Sequence, residues 1–168
     1  NGATFERAKM LKWSGRGGAS GVGISTFFDG GMCFDLGRTR DTAPLTSSDF
    51  QPPGFIRPTP LPFVPMPNWR CGIIIPPDAQ PIRLDEERKF FARMTPLNDA
   101  AVHQATYHAL LGVYASVIDN NFASFCSAIN AIQAVQWKAA EISLHGDRVS
   151  GLINDLRSHG CDAAGMSS

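Results

Sequence analysis

Eight prolines fall between Pro44 and Pro67, and no other stretch limits the fold so sharply. Each proline removes an amide donor and fixes φ, which neither a helix interior nor a central strand tolerates. Residues 38–68, rich in Pro, Thr and Ser, are therefore read as a long irregular connection, and connections of that length are usually functional or disordered. They divide the 168-residue chain into three zones. Residues 1–40 are glycine-rich, 41–68 form the connection, and 69–168 carry helical apolar spacing. The length suits one domain, or one domain and part of another, with a sizeable core.

Fifteen basic and fifteen acidic residues cancel, which argues against a broad nucleic-acid surface and against a polybasic membrane anchor. No apolar run approaches the roughly 20 residues of a membrane span, and residues 1–13 lack the apolar core of a signal peptide. Cys33, Cys71, Cys126 and Cys161 lie far apart with no Cys-x-x-Cys pair, so zinc and thioredoxin-type chemistry are not expected. Reduced, mostly buried thiols in a cytoplasmic protein are.

The stretch Gly15 to Ile24, GRGGASGVGI, packs five glycines around Arg16 and Ser20. Glycine permits positive φ and close approach of the backbone to a ligand. Successive N–H groups on such a curve form a nest for anions, and a guanidinium adds bidentate grip on phosphate oxygens. No Gly-Lys-Ser/Thr follows, and the spacing Gly18-x-x-Gly21-x-Gly23 is not a dinucleotide fingerprint. A structural glycine turn and a phosphate loop fit the pattern about equally, and Arg16 and Ser20 favour the phosphate loop.

Beyond the loop, residues 23–28 and 32–36 are β-prone runs separated by Asp29-Gly30-Gly31, which predicts a β-hairpin. Trp69 to Ile75, ending in Ile73-Ile74-Ile75 before Pro76-Pro77, predicts a covered strand. Helices are expected from Asp85 to Met94, from Asp99 to Ile118, through Phe122 to Ile132, and around Val149 to Leu156, the last closed by Gly160. Asp147 is expected to cap that last helix. The four histidines share no helix face and lie at helix ends or singly, so none is given a catalytic role. Trp69 reads as core.

In this order, GRGGASGVGI, Phe27-Phe28-Asp29-Gly30-Gly31, Trp69-x-x-x-Ile73-Ile74-Ile75-Pro76 and the terminal Gly160-x-x-x-Ala164-Gly165-Met166-Ser167-Ser168 resemble the β-ribofuranosylaminobenzene 5′-phosphate synthase family. The likeness runs over most of the chain, and its two ends are the specific parts. It implies an α+β, GHMP-kinase-like fold of two lobes. Residues 1–40 would end a ribosomal-protein-S5-like lobe, and 69–168 would form a ferredoxin-like, helix-rich one, both incomplete. The resemblance also implies transfer of the pentosyl group of phosphoribosyl pyrophosphate to a 4-substituted benzoate (4-aminobenzoate or 4-hydroxybenzoate). Carbon dioxide and pyrophosphate would leave, in the biosynthesis of methanopterin-type carriers.

The same resemblance implies Mg²⁺, since departing pyrophosphate needs charge neutralisation. Gly15, Arg16, Gly17, Gly18, Ala19, Ser20, Gly21 and Gly23 would hold the phosphate, with Ser20 reaching phosphate or the metal through water. Gly165, Met166, Ser167 and Ser168 match the family's second loop and would close the site from the other lobe. The family has further segments on both sides of these motifs, so the chain reads as an internal piece whose exposed strand edges invite pairing with a second copy.

Two other readings compete. One is an ATP-dependent GHMP-type kinase, in which a glycine-serine loop usually runs into a helix. Here the loop is expected to run into a strand. The other is a folded piece with no turnover of its own.

Overall fold

The computed structural model describes residues 9, 22–34, 63–77 and 82–167, and the chain divides into two units, Asn1–Pro67 and Asn68–Ser168. Among the described residues the architecture is helical, so only the helical side of the expected α+β class is seen there. The strand-like pairing described is a single antiparallel bridge, Met32 to Val64.

In the first unit, Val22–Asp29 is a helix, α1, and not the first strand of a hairpin. Two features explain the correction. Ile24, Phe27 and Phe28 are spaced three and four apart, which suits a helical stripe better than alternation. Asp-Gly-Gly serves a helix C-terminus as well as a hairpin, because both need positive φ. Gly30 and Gly31 take φ of 67° and 52°, and the Gly30 N–H donates to the Thr26 carbonyl at 2.9 Å. The chain then turns so that Met32 and Val64 exchange two backbone hydrogen bonds of 2.9 and 3.2 Å. Gly31 is needed there on both counts: a Cβ would meet the Phe63 ring and lie 2.6 Å from the Val64 carbonyl oxygen.

The second unit begins with extended chain. Trp69 packs on Phe122 and Phe125 with ring centroids 5.4 and 4.9 Å apart, a core role as expected. Ile73, Ile74 and Ile75 are 88, 55 and 79 % exposed and belong to no ladder among the described residues. The covered strand expected here is thus corrected to uncovered extended chain. A β-branched run encodes the extended backbone, but cover requires a neighbouring strand.

Helix α2 (Leu84–Met94) opens on Asp85, Glu86 and Glu87, charges that suit the positive end of the helix dipole. It stops before Pro96 and buries Phe90. Asn98 caps the next helix, accepting the Ala101 N–H at 2.7 Å. A continuous rod follows: α3 (Asp99–Thr106), a π-helical stretch (Tyr107–Tyr114) and α4 (Ala115–Ile118). One side of the rod buries Ala101, Tyr114 and Val117, while Tyr107, Leu111 and Ile118 stay exposed. Apolar residues on most faces of Asp99 to Ile118 predict a central, well-buried helix, and the rod is less enclosed than that.

Helix α5 (Phe122–Gln133), capped by Asn121, packs against the π-helical stretch. Gly112 makes this approach feasible, since a Cβ there would fall 2.5 Å from the Ala128 Cβ. Val135, fully buried, turns the chain into α6 (Gln136–Leu144), a helix absent from the sequence expectations. Helix α7 (Asp147–Ser158) starts after Gly146 at φ 76° with no side-chain cap. Asp147 is therefore its first residue and not its cap. Gly160, at φ 96°, ends it: the Gly160 N–H reaches the Arg157 carbonyl at 3.3 Å, and the Cys161 N–H reaches the Leu156 carbonyl at 3.0 Å. That pair of bonds is a Schellman turn. Ile142, Ile153 and Ala164 form a small core beside Val149, Leu156 and Met166.

Candidate functional site

The two glycine segments singled out in the sequence fall in different units. Gly15, Arg16, Gly17, Gly18, Ala19, Ser20 and Gly21 lie outside the described residues, as does Ser168. Gly23 is described, as the second residue of α1, where an added Cβ meets nothing within 4 Å among the described residues. Its N–H belongs to the first turn, whose donors have no acceptor within the helix. The glycines therefore run into a helix, and the strand expected after them is corrected.

The second segment is defined atom by atom. After the Schellman turn, residues 161–167 run without helix or ladder and are held by side chains of α5 and α7. The Asn130 amide donates to the Asp162 carbonyl at 2.9 Å, and its oxygen accepts the Ala164 N–H at 3.2 Å. One turn on, the Gln133 side-chain oxygen accepts the Met166 N–H at 3.0 Å. From α7, Arg157 Nη2 donates to the Ala164 carbonyl at 2.8 Å. Asn130 and Gln133 are three apart on α5 and so share one face. They read every second residue of the segment, as a neighbouring strand would.

Apolar contacts fix the same segment. Ala164 is buried between Ile142 and Ile153, and Met166 packs on that cluster. Met166, one of the four residues expected in the second loop, is thus a half-buried anchor, whereas Gly165 and Ser167 on either side of it are exposed. A Cβ on Gly165 would lie 2.5 Å from Gln133 Cδ, so glycine is what lets Gln133 lie across the backbone here. The Arg157 Nε–H is buried with no hydrogen-bond partner among the described residues.

Cys126 sits one turn before Asn130. Burial, and secondarily the Asp162 carboxylate, push its thiol above the ordinary value. The unfolded chain therefore loses this proton first as pH rises. The group's contribution to stability is complete below the ordinary thiol value and is lost as pH climbs through the raised one. A thiol reagent at neutral pH is expected to modify the exposed Cys71 and Cys161 first and to reach Cys126 only in denaturant. Peptide mapping after timed alkylation reads this directly, and rapid labelling of Cys126 in the native protein would contradict it.

Asn130, Gln133 and Arg157 carry no motif and were missed by sequence reasoning. So was Lys138, nearly buried on α6 in a 2.9 Å ion pair with Glu141. Among the described residues no cluster of three or more His, Cys, Asp or Glu could hold a metal ion, and no helix is long and apolar enough to cross a membrane.

Comparison with known proteins adds the chemical context. No family model matches the chain. It is similar to the β-ribofuranosylphenol 5′-phosphate synthase of Methanocaldococcus jannaschii, with 31% identity over 95% of this chain and 48% of the relative. The synthases of the same name from Methanothermobacter thermautotrophicus and Archaeoglobus fulgidus share 27% and 28% identity, over 100% and 99% of this chain and 51% of each relative. The chain thus spans about half the length of the curated relatives it matches. The likeness takes in both glycine segments and the helices between them, so the chain resembles these β-ribofuranosylphenol 5′-phosphate synthases over nearly its whole length.

Proposed function

We propose that the protein transfers the pentosyl group of phosphoribosyl pyrophosphate to a 4-substituted benzoate, releasing pyrophosphate and carbon dioxide, in the cytoplasmic synthesis of a methanopterin-type carrier. The observation that carries this is the similarity, over 95–100% of this chain and about half of each relative, to three proteins named β-ribofuranosylphenol 5′-phosphate synthase. Their name specifies a phenol product, so 4-hydroxybenzoate is the first acceptor to test and 4-aminobenzoate the second. The GHMP-kinase-like fold of two lobes belongs to the same proposal.

In this reaction pyrophosphate leaves with the electron pair of its bond to the ribosyl carbon. The ring carbon bearing the carboxylate forms the new bond to that ribosyl carbon. The carbon–carboxyl bond then breaks, its electron pair restores the aromatic ring, and carbon dioxide departs. No proton has to be removed, so the absence of an evident general base is no obstacle. The protein's task is to bind, to orient and to stabilise charge on the leaving group, the last often the largest contribution.

Gly15 to Gly23 suits that task. In sequence these glycines directly precede the first turn of α1, whose N–H groups favour negative charge. Arg16 supplies a fixed cation, and Ser20 a hydroxyl for phosphate or for metal-bound water. Mg²⁺, when bound, would neutralise pyrophosphate charge. It usually keeps several waters and leans on substrate phosphates. Gly165 and Ser167 offer an exposed backbone and hydroxyl for substrate.

The kinase reading retains one specific observation in its favour, since the glycines run into helix α1, as they do in GHMP-type kinases. Calorimetric titration separates the two. Phosphoribosyl pyrophosphate with Mg²⁺ is expected to bind, with ATP at least tenfold weaker. Tight ATP binding without phosphoribosyl pyrophosphate binding would reverse the assignment.

A further inference from the structure

We propose that Gln133, with Asn130 and Arg157, is a positioning residue that presents Ser167 to the substrate by holding the 162–166 backbone in a preset shape. The inference rests on the reading that Gly165 to Ser168 contacts substrate. Four side-chain hydrogen bonds, of 2.8 to 3.2 Å, engage Asp162, Ala164 and Met166. They come from residues 32 to 34 positions earlier on α5 and from α7. Polar side chains on a partly exposed helix face usually point to water. Here they take the place of a strand partner for a segment that pairs with none among the described residues.

The packing around the segment supports the same role. Ala164 and Met166 anchor its inward side to the Ile142–Ile153 cluster, with the exposed Gly165 between those anchors and the exposed Ser167 directly after them. Gly165 is also where a side chain would strike Gln133. A segment with its backbone pinned at alternate residues loses little freedom when a ligand binds, which is what preorganisation of a binding loop requires. Gln133 makes the last of these bonds, next to Ser167, and among the described residues it holds the segment through one hydrogen bond. It can therefore be changed with small cost to the fold.

Gln133→Leu removes the acceptor for the Met166 N–H, and Gln133→Glu retains one. In Gln133→Leu, amide exchange at Met166 is expected to accelerate about tenfold while the α5 and α7 amides keep their protection, the size expected for one lost hydrogen bond. With the protein as its gene encodes it, kcat/KM for phosphoribosyl pyrophosphate is expected to fall about five- to tenfold, and Gln133→Glu should restore most of it. Unchanged exchange at Met166 would overturn the clamp. Faster exchange with kcat and KM both unaltered would overturn its role toward substrate. If the unaltered protein turns over no phosphoribosyl pyrophosphate at all, the synthase reading fails and with it the substrate role, while the exchange result still decides whether the clamp exists.

Discussion

Gly112→Val is expected to lower the thermal midpoint of the helical unit by roughly 4–24 °C, where a glycine-to-other change in an exposed helix ordinarily stabilises. The reason is a distance. The ideal Cβ position at Gly112 is 2.5 Å from the Ala128 Cβ, far inside carbon–carbon contact, which is about 3.5 Å or more. Ala128 is itself buried on α5 and cannot swing away as a long side chain would. The helix must move, or the π-helical stretch must rewind. Overpacking of this kind costs about 1–3 kcal/mol and sometimes more, and a domain of this size loses roughly 4–8 °C per kcal/mol.

Two controls make the prediction specific. Gly151→Ala on α7, where an added Cβ meets nothing within 4 Å, should gain up to about 1 kcal/mol from helix propensity alone. The exchange Gly112→Ala with Ala128→Gly moves one methyl group across the same contact and should recover most of what Gly112→Ala loses. A double-mutant cycle on thermal or denaturant unfolding measures that coupling. Additive effects would show that the close approach is not what Gly112 is for.

For activity, Arg16→Ala should lower kcat/KM for phosphoribosyl pyrophosphate about 10- to 150-fold. A hydrogen bond to a charged group contributes about 1.5–3 kcal/mol, and a donor aimed at charge that grows in the transition state sits at the upper end. Arg16→Lys should recover part of the loss, because it restores the charge without the planar fork. Arg70→Ala, at an exposed position in the other unit, should leave turnover within about twofold, surface changes of this kind being worth about 0.5 kcal/mol or less. Steady-state kinetics on the three variants decides the matter. If Arg16→Ala matches Arg70→Ala, the glycine loop does not carry the leaving group.

What the residues disclose by themselves is uneven, for physical reasons. The helices from Leu84 to Ser158 are legible because apolar spacing, an acidic first turn in α2 and the terminal Gly160 all point the same way. Helix α6 is not, since its apolar residues follow no clean stripe. The π-helical winding of Tyr107–Tyr114 is hidden because a π and an α stretch share much of their side-chain spacing. At Val22–Asp29 the β-prone residues and Asp-Gly-Gly supported a hairpin, while the same glycines serve equally as a helix terminus.

The site divides in the same way. Gly165 and Ser167 announce themselves as small residues in a motif. Asn130, Gln133 and Arg157 act through contacts made with a distant stretch of chain, and nothing in their immediate neighbours marks them. Met166 belongs to the motif by position yet packs into the core, which only tertiary structure reveals.

The most direct test uses 4-hydroxybenzoate and 4-aminobenzoate labelled in the carboxyl carbon, with phosphoribosyl pyrophosphate, Mg²⁺ and the protein as its gene encodes it. Labelled carbon dioxide should appear in step with pyrophosphate, one for one, and ATP should not replace the ribosyl donor. Absence of labelled gas with every para-substituted benzoate, or phosphorylation of a small molecule by ATP in its place, would contradict the account.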